Sequence, residues 1–384
     1  MAGEQGPFGP DLVCRACGRT YPPGPGEPWR CECGHALDFD PGLDRDPPPV
    51  PENPPERLDR DRGLWAFEAF LPIPRQVTLG EGFTPLVQAP NWEASFKLEY
   101  VFPSGSFKDR GATTTISRAA ALGVERVVED SSGNAGAAIA QYAARAGIEA
   151  RIYVPEGVKP SKLAAIERTG ADPVRVSGDR SAVTAACLEA VEDGEGWYAS
   201  HAWNPAFYAG TATVAMEIAA QRGWSAPDAM VFPVGHGTLF LGAYRGFAAL
   251  LEAGWIDSMP RLLGVQAAGV APVVAAVGAG AASESAVSDA DGRNDLADGI
   301  QIEEPARLAQ LQEAVTATDG AVIPIDEEAT HRALDALHRA GFHVEPTSAV
   351  AVAGLEAYRE RGAIAPDADV VVPLTGSGLK MDVQ

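Results

Sequence analysis

The stretch Arg126-Val-Val-Glu-Asp-Ser-Ser-Gly-Asn-Ala-Gly-Ala-Ala-Ile-Ala-Gln-Tyr-Ala-Ala-Arg-Ala-Gly-Ile-Glu-Ala-Arg-Ile-Tyr-Val154 reads as strand, loop, helix and strand. Residues 126–130 and 150–154 are short runs rich in β-branched side chains, and residues 135–146 space their apolar positions three to four apart. Two strands joined by a helix form the repeating unit of a parallel sheet, and its crossover is right-handed. Ligands of such sheets bind beyond the carboxyl ends of the strands. Ser131-Ser-Gly-Asn-Ala135 stands at that end. Backbone N–H groups at a helix start, joined by two hydroxyls, suit a carboxylate; the plainer alternative is an ordinary capped helix.

Working outward, the pattern recurs from about residue 80. Candidate strands at 173–177, 229–233, 261–265 and 369–373 alternate with amphipathic stretches at 181–191, 208–221 and 239–252. The expected body is α/β, with parallel-type sheets flanked by helices, and no internal repeat is evident. Residues 11–40 hold four of the five cysteines, and the Asp40-Pro-Gly to Pro55 stretch is too rich in Pro and Asp for regular structure. The implied division is a cysteine module at 1–40, a Pro/Asp-rich linker and lead-in at 41–79, and an α/β body of two subdomains at 80–384. Residues 275–291, mostly Ala, Gly, Ser and Asp, read as a surface insertion.

The 384 residues suffice for two to three domains. No apolar run approaches the roughly 20 residues of a membrane span, and the N-terminus lacks a signal-peptide pattern, so a cytoplasmic protein without membrane contact is expected. A formal charge of -22 argues against a nucleic-acid partner. The acids are scattered, as on a solvated surface, and lysine makes up few of the 30 basic residues. That bias points to a high-salt habitat, where screening tolerates like charge.

Cys14-Arg-Ala-Cys17-Gly and Cys31-Glu-Cys33-Gly form two paired-thiolate knuckles, each followed by a glycine that suits a tight turn. A four-thiolate zinc ribbon is the leading reading; such a closed ligand set stabilises structure and does not activate water. A disulfide framework is the alternative, disfavoured in a reducing compartment. His35 stands where it could replace Cys33. Cys187, alone in an Ala-rich stretch, reads as a small buried hydrophobe.

Phe102-Pro-Ser-Gly-Ser-Phe-Lys-Asp-Arg-Gly111 places Lys108 where a permissive turn enters a helix. Partial positive charge at a helix start and desolvation both favour the neutral amine, although such a lysine alone is more often a solvated side chain. Gly235-His-Gly-Thr-Leu239, after the strand at 229–233, lets backbone approach a phosphate, and Thr238 adds a hydroxyl. Thr375-Gly-Ser-Gly-Leu-Lys380 follows a third strand end.

With Gly80-Glu-Gly-Phe-Thr-Pro-Leu86, these motifs in this order resemble fold type II of the pyridoxal-phosphate enzymes, the tryptophan-synthase-β type, and within it the threonine synthase family. The resemblance covers about residues 80–379. It implies that Lys108 is the Schiff-base lysine, that Asn134 bonds the cofactor's phenolic oxygen, and that Gly235, His236, Gly237, Thr238 and Leu239 hold its phosphate. It also implies that Thr375 faces the pyridine nitrogen, a neutral partner that favours elimination and replacement over transamination. Ser131, Ser132 and Ser104 are the expected substrate contacts, and Lys159, Lys162 and Arg110 are further candidates for a substrate phosphate. The implied reaction converts O-phospho-L-homoserine and water to L-threonine and phosphate, and the resemblance allows a homodimer. Phe102 and Ser104 depart from the family's Asn and Thr, and Gly-His-Gly-Thr departs from its usual glycine loop. A threonine or serine dehydratase, another replacement enzyme such as a cysteate synthase, and a non-catalytic binder of amino acid or cofactor are the alternatives.

Overall fold

A computed structural model describes residues 9–40, 50–278 and 293–380. The expected insertion at 275–291 and the start of the expected linker thus lie largely outside the described residues. The first elements are β1 (Leu12–Val13), β2 (Thr20–Tyr21) and β3 (Asp38–Phe39), which pair antiparallel in the order β2-β1-β3. Next come β4 (Leu86–Ala89), β5 (Ala94–Lys97), α1 (Lys108–Ala121), β6 (Arg126–Glu129), α2 (Asn134–Ala146) and β7 (Glu149–Pro155). They are followed by α3 (Pro160–Glu167), β8 (Asp172–Val176), α4 (Arg180–Glu192), β9 (Trp197–Tyr198) and α5 (Pro205–Gln221). The chain continues through β10 (Ala229–Pro233), α6 (Thr238–Glu252), β11 (Arg261–Ala267), α7 (Pro272–Val277) and α8 (Leu308–Ala317). It closes with β12 (Ala321–Ile325), α9 (Glu327–Arg339), α10 (Pro346–Glu360) and β13 (Val370–Pro373).

Two compact units result, one of residues 1–83 with 108–213 and the other of residues 84–107 with 214–384. In the first, β8-β7-β6-β9 form an all-parallel sheet. Successive side chains on a strand face opposite ways, so β6 serves two cores. Val127 joins Ile116, Ile139, Leu163 and Ile166 from α1, α2 and α3, while Val128 joins Val183 and Cys187 from α4. Full burial of each large aliphatic side chain contributes about 1.5–3 kcal/mol. Because residues two apart share a face, Glu129 lies on the Val127 side.

The second unit carries the sheet β12-β11-β10-β13-β5-β4, parallel except for the β4–β5 pair. Its core gathers Phe96, Val231, Leu263, Val265, Val350 and Val372. Lys97, at the end of β5, is fully buried and donates to Glu217 Oε2 at 2.8 Å, the Thr84 carbonyl at 2.7 Å and Gln221 Oε1 at 2.9 Å. A buried cation so completely partnered is a fixed structural element, not a reactive amine.

Candidate active site

Lys108 is the first residue of α1 and is half-buried. What precedes it is held by the loop after β13. The Gly105 N–H closes a turn onto the Phe102 carbonyl at 2.7 Å, the Ser377 N–H donates to the Gly105 carbonyl at 2.9 Å, and the Phe107 N–H donates to the Thr375 carbonyl at 3.0 Å. Ser106 and Gly376 form a β-bridge between these bonds. Backbone pairing, not side-chain chance, therefore sets the position of the lysine's predecessor beside Thr375. Ser106 Oγ is buried without a hydrogen-bond partner among the described residues.

Below Lys108 the helix is anchored by buried polar groups. Asp109 accepts from the Tyr142 hydroxyl at 3.3 Å, and the same hydroxyl lies 3.1 Å from Glu81 Oε2. Glu81 also accepts from Trp65 Nε1 at 3.1 Å and the Leu79 N–H at 2.6 Å. Burial, with the two carboxylates beside it, pushes the Tyr142 phenol far above its ordinary range, so it remains a donor. Gly111 lets α1 approach α5, since a Cβ there would stand 2.3 Å from the Phe207 ring. The Lys108 Nζ lies 5.7 Å from the centroid of that ring.

The Ser131-to-Asn134 loop occupies the β6 carboxyl end in the same unit. Asn134 opens α2 after Gly133, and no side chain caps this helix. Ser131 is buried and its Oγ accepts from the Gly133 N–H at 3.3 Å, whereas Ser132 and Asn134 are half-buried. A Cβ on Gly136 would meet the Ser131 carbonyl at 1.7 Å, so the first turn of α2 folds tightly over the loop. At the strand end itself Asp130 accepts from Tyr198 at 2.8 Å and Thr184 at 2.6 Å. Its neighbour Glu129 is fully buried, with Oε1 2.6 Å from His201 Nδ1. Desolvation, reinforced by Asp130, pushes the Glu129 carboxyl well above the usual range, while Arg180 and Lys108 pull it back. Lys108 and the loop thus belong to one electrostatic neighbourhood.

In the second unit Gly235, His236 and Gly237 lead from β10 into α6, which Thr238 and Leu239 open. Gly237 sits at φ +70°, and a Cβ there would lie 2.4 Å from Leu311 Cδ2. No side chain caps α6, and its first residues Thr238, Leu239 and Phe240 are buried. His236 is half-buried. Thr375 follows β13 with its Oγ1 3.1 Å from Ser348 Oγ. A buried, uncapped helix start behind a glycine turn fits a phosphate, and a neutral hydroxyl pair fits an unprotonated ring nitrogen.

Of the further candidates, Ser104 is half-buried beside Gly105, Lys162 is half-buried within α3, and Lys159 is exposed at its start. Arg110 is fully buried and donates to Thr213 Oγ1 at 2.9 Å, a structural engagement. Glu129, His201, Ser106 and Ser348 were not singled out from the sequence. For Glu129 a signal existed: an acid at the end of a β-branched run, two residues before the loop. A cleft of about 700 Å³ lined by Trp29, Arg126, Trp197 and Tyr198 contains none of the residues expected at the site.

In the cysteine module, the sulfurs of Cys14, Cys17, Cys31 and Cys33 all lie within 4.8 Å of one another. The Cys14–Cys33 and Cys17–Cys31 pairs are each 3.5 Å apart, and none forms a disulfide. A tetrahedron of zinc–sulfur bonds of about 2.3 Å has edges of about 3.8 Å, so the set fits one ion. His35 stands outside it, with Nδ1 3.4 Å from Cys33 Sγ. The Tyr21 hydroxyl, 3.2 Å from Cys31 Sγ, pulls that thiol down to about 6.

Comparison with known proteins identifies the family. The family described as pyridoxal-phosphate dependent enzyme matches residues 77–376, a span that includes Lys108, Asn134, the Gly235 loop and Thr375. Threonine synthase of Methanocaldococcus jannaschii is 32% identical, with 96% of this chain and 92% of that protein covered. Threonine synthase of Mycobacterium bovis is 34% identical over 79% of this chain and 83% of its own length. Among solved structures, threonine deaminase isoform 2 from Solanum lycopersicum superposes with a TM-score of 0.68 at 21% identity, covering 91% of this chain and 93% of that one, which shows the shared fold. The chain belongs to the pyridoxal-phosphate-dependent enzymes of fold type II, in the threonine synthase family.

Proposed function

We propose that this chain converts O-phospho-L-homoserine and water to L-threonine and phosphate, with Lys108 as its Schiff-base lysine. The observation that carries the reading is the likeness to a threonine synthase, 32% identical with 96% of this chain covered. Pyridoxal phosphate, when bound, supplies an electron sink conjugated with the substrate's amino group. Gly235 through Leu239 would hold its phosphate, and Asn134 would donate to its phenolic oxygen. Thr375, paired with Ser348, would be the neutral partner of its ring nitrogen. Ser131 and Ser132 at the α2 start bind the substrate carboxylate. Lys108 Nζ takes the proton from the substrate's Cα and later returns it.

The cysteine module is read as a structural zinc site held by Cys14, Cys17, Cys31 and Cys33. Cytoplasmic residence belongs to the same reading, supported by cysteines that form no disulfide and by the absence, among the described residues, of any helix long and apolar enough to cross a membrane.

The deciding assay offers the holoenzyme O-phospho-L-homoserine and, separately, L-threonine. Phosphate released together with threonine from the first substrate is expected. Formation of 2-oxobutanoate from threonine, with no phosphate from O-phosphohomoserine, would show a dehydratase.

A further inference from the structure

The proposed reaction moves more protons than one lysine handles at Cα. O-Phosphohomoserine carries two hydrogens on Cβ and two on Cγ, and threonine carries one on Cβ and three on Cγ. One proton must leave Cβ and one must arrive at Cγ. The group that stores it needs a place for a single proton beside Lys108, without leaving a lone charge buried.

Glu129 and His201 have those properties. Glu129 closes β6 and His201 lies in the turn that follows the adjacent parallel strand β9, which brings the two side chains together. Glu129 is fully buried and His201 is 6% exposed, so the imidazole is the member of the couple nearer to solvent. Oε1 stands 2.6 Å from Nδ1, while Oε2 is buried with no hydrogen-bond partner among the described residues. A carboxylate with an imidazolium and a carboxylic acid with an imidazole have the same net charge. Moving the proton between the two members therefore leaves the net buried charge unchanged, and taking up the substrate's proton neutralises the Glu129 carboxylate. His201 packs edge-on against Phe207 at 6.1 Å between centroids, and the same ring lies 5.7 Å from Lys108 Nζ. One aromatic side chain thus spaces both basic groups.

We propose that Glu129 and His201 form a second acid–base couple beside Lys108, which takes the Cβ proton of the substrate and delivers a proton to Cγ. This rests on the O-phosphohomoserine reading above. With Nδ1 bonded to Glu129, exchange runs through Nε2, whose lone pair accepts the Cβ proton. The C–H electron pair forms the Cβ–Cγ double bond as the Cγ–O pair departs with phosphate. The stored proton then goes to Cγ and the oxygen of water bonds to Cβ, while the proton that water loses passes to phosphate. Glu129 is a positioning residue, since it acts through His201. The charged and titratable groups facing the couple are Asp130 on its own strand, Lys108 from α1, Arg180 from α4, and Tyr198 and Cys187 beside Asp130.

The test uses full-length Glu129→Gln and His201→Gln. In the reconstituted enzyme in D2O, proton NMR follows exchange at Cα and Cβ of L-2-aminobutyrate, which has no phosphate to lose. The unmodified enzyme should exchange both positions. Each variant should keep Cα exchange within about threefold, while Cβ exchange and phosphate release from O-phosphohomoserine fall about 10²-fold. In the apoprotein, the labelled-histidine resonance missing from His201→Gln should titrate above the ordinary value of about 6.5 and drop by about one unit or more in Glu129→Gln. Loss of Cα and Cβ exchange in parallel would overturn the proposal, as would an unmoved His201 titration or Cβ exchange that survives both substitutions. An unmodified enzyme that exchanges Cα alone would overturn it too. Cβ exchange without phosphate release would instead overturn the substrate reading and leave the couple standing.

Discussion

Lys108 is the first helical residue of α1, followed by the fully buried Asp109 and Arg110. The amine proposed to react is therefore mounted on a fixed base, and its removal should cost chemistry more than stability. Lys108→Ala is expected to abolish the visible absorbance band of the holoenzyme and to lower turnover by at least about 10²-fold, with the thermal unfolding of the apoprotein little changed. An unaltered band would place the Schiff base elsewhere. Cys187 makes the opposite case. Burial first, then the nearby Asp130 and Glu129, push its thiol far above the ordinary range, and its side chain is fully enclosed. It should resist iodoacetamide in the native protein near pH 8.5, about the pKa of a free thiol, and react only on unfolding; mass spectrometry of the 187-containing peptide reads the result.

At the scale of elements, the residues proposed for the site lie in loops at strand ends, and these are the parts a sequence displays best. The candidate strands at 126–130 and 229–233 match β6 and β10 closely because the strand-forming pairs Val127-Val128 and Val231-Phe232, followed by Ser-Ser-Gly-Asn or Gly-His-Gly, carry both propensity and turn chemistry. The elements not anticipated are those whose pattern is overridden by context. β5 ends in Lys97, whose charge hides a strand until its buried partners are known. β12 contains Pro324, tolerable because β12 is an edge of its sheet. β9 is only Trp197–Tyr198, too short for any period. The Glu129–His201 pair joins residues 72 apart, and nothing local announces it. Gly237 tests the phosphate loop as an element. Gly237→Ala forces a side chain at φ +70° against Leu311, and should weaken cofactor binding at least about tenfold while costing about 1–3 kcal/mol of stability. Fluorescence titration of the apoprotein with pyridoxal phosphate measures the first and denaturant unfolding the second; unchanged affinity would remove the loop from the cofactor site.

At the scale of the molecule, the cysteine module is tied to α1 within the first unit by a buried ion pair, Arg118 with Glu27 at 2.6 Å. Metal analysis should find about one zinc per chain, lost when Cys14 and Cys17 are both replaced by Ser, with a lower unfolding temperature as the consequence. Metal-free native protein would contradict the zinc reading. The net charge of -22 acts on the whole chain as self-repulsion. Raising the salt from about 0.1 M to about 1 M shortens the screening length from about 10 Å to about 3 Å and should raise the unfolding temperature. The reaction assigned to this chain is tested most directly by turnover of O-phospho-L-homoserine in ¹⁸O-labelled water. Elimination breaks the Cγ–O bond and water adds at Cβ, so the label should appear once in the threonine hydroxyl and be absent from the released phosphate. Label in the phosphate, with homoserine as the organic product, would contradict the account.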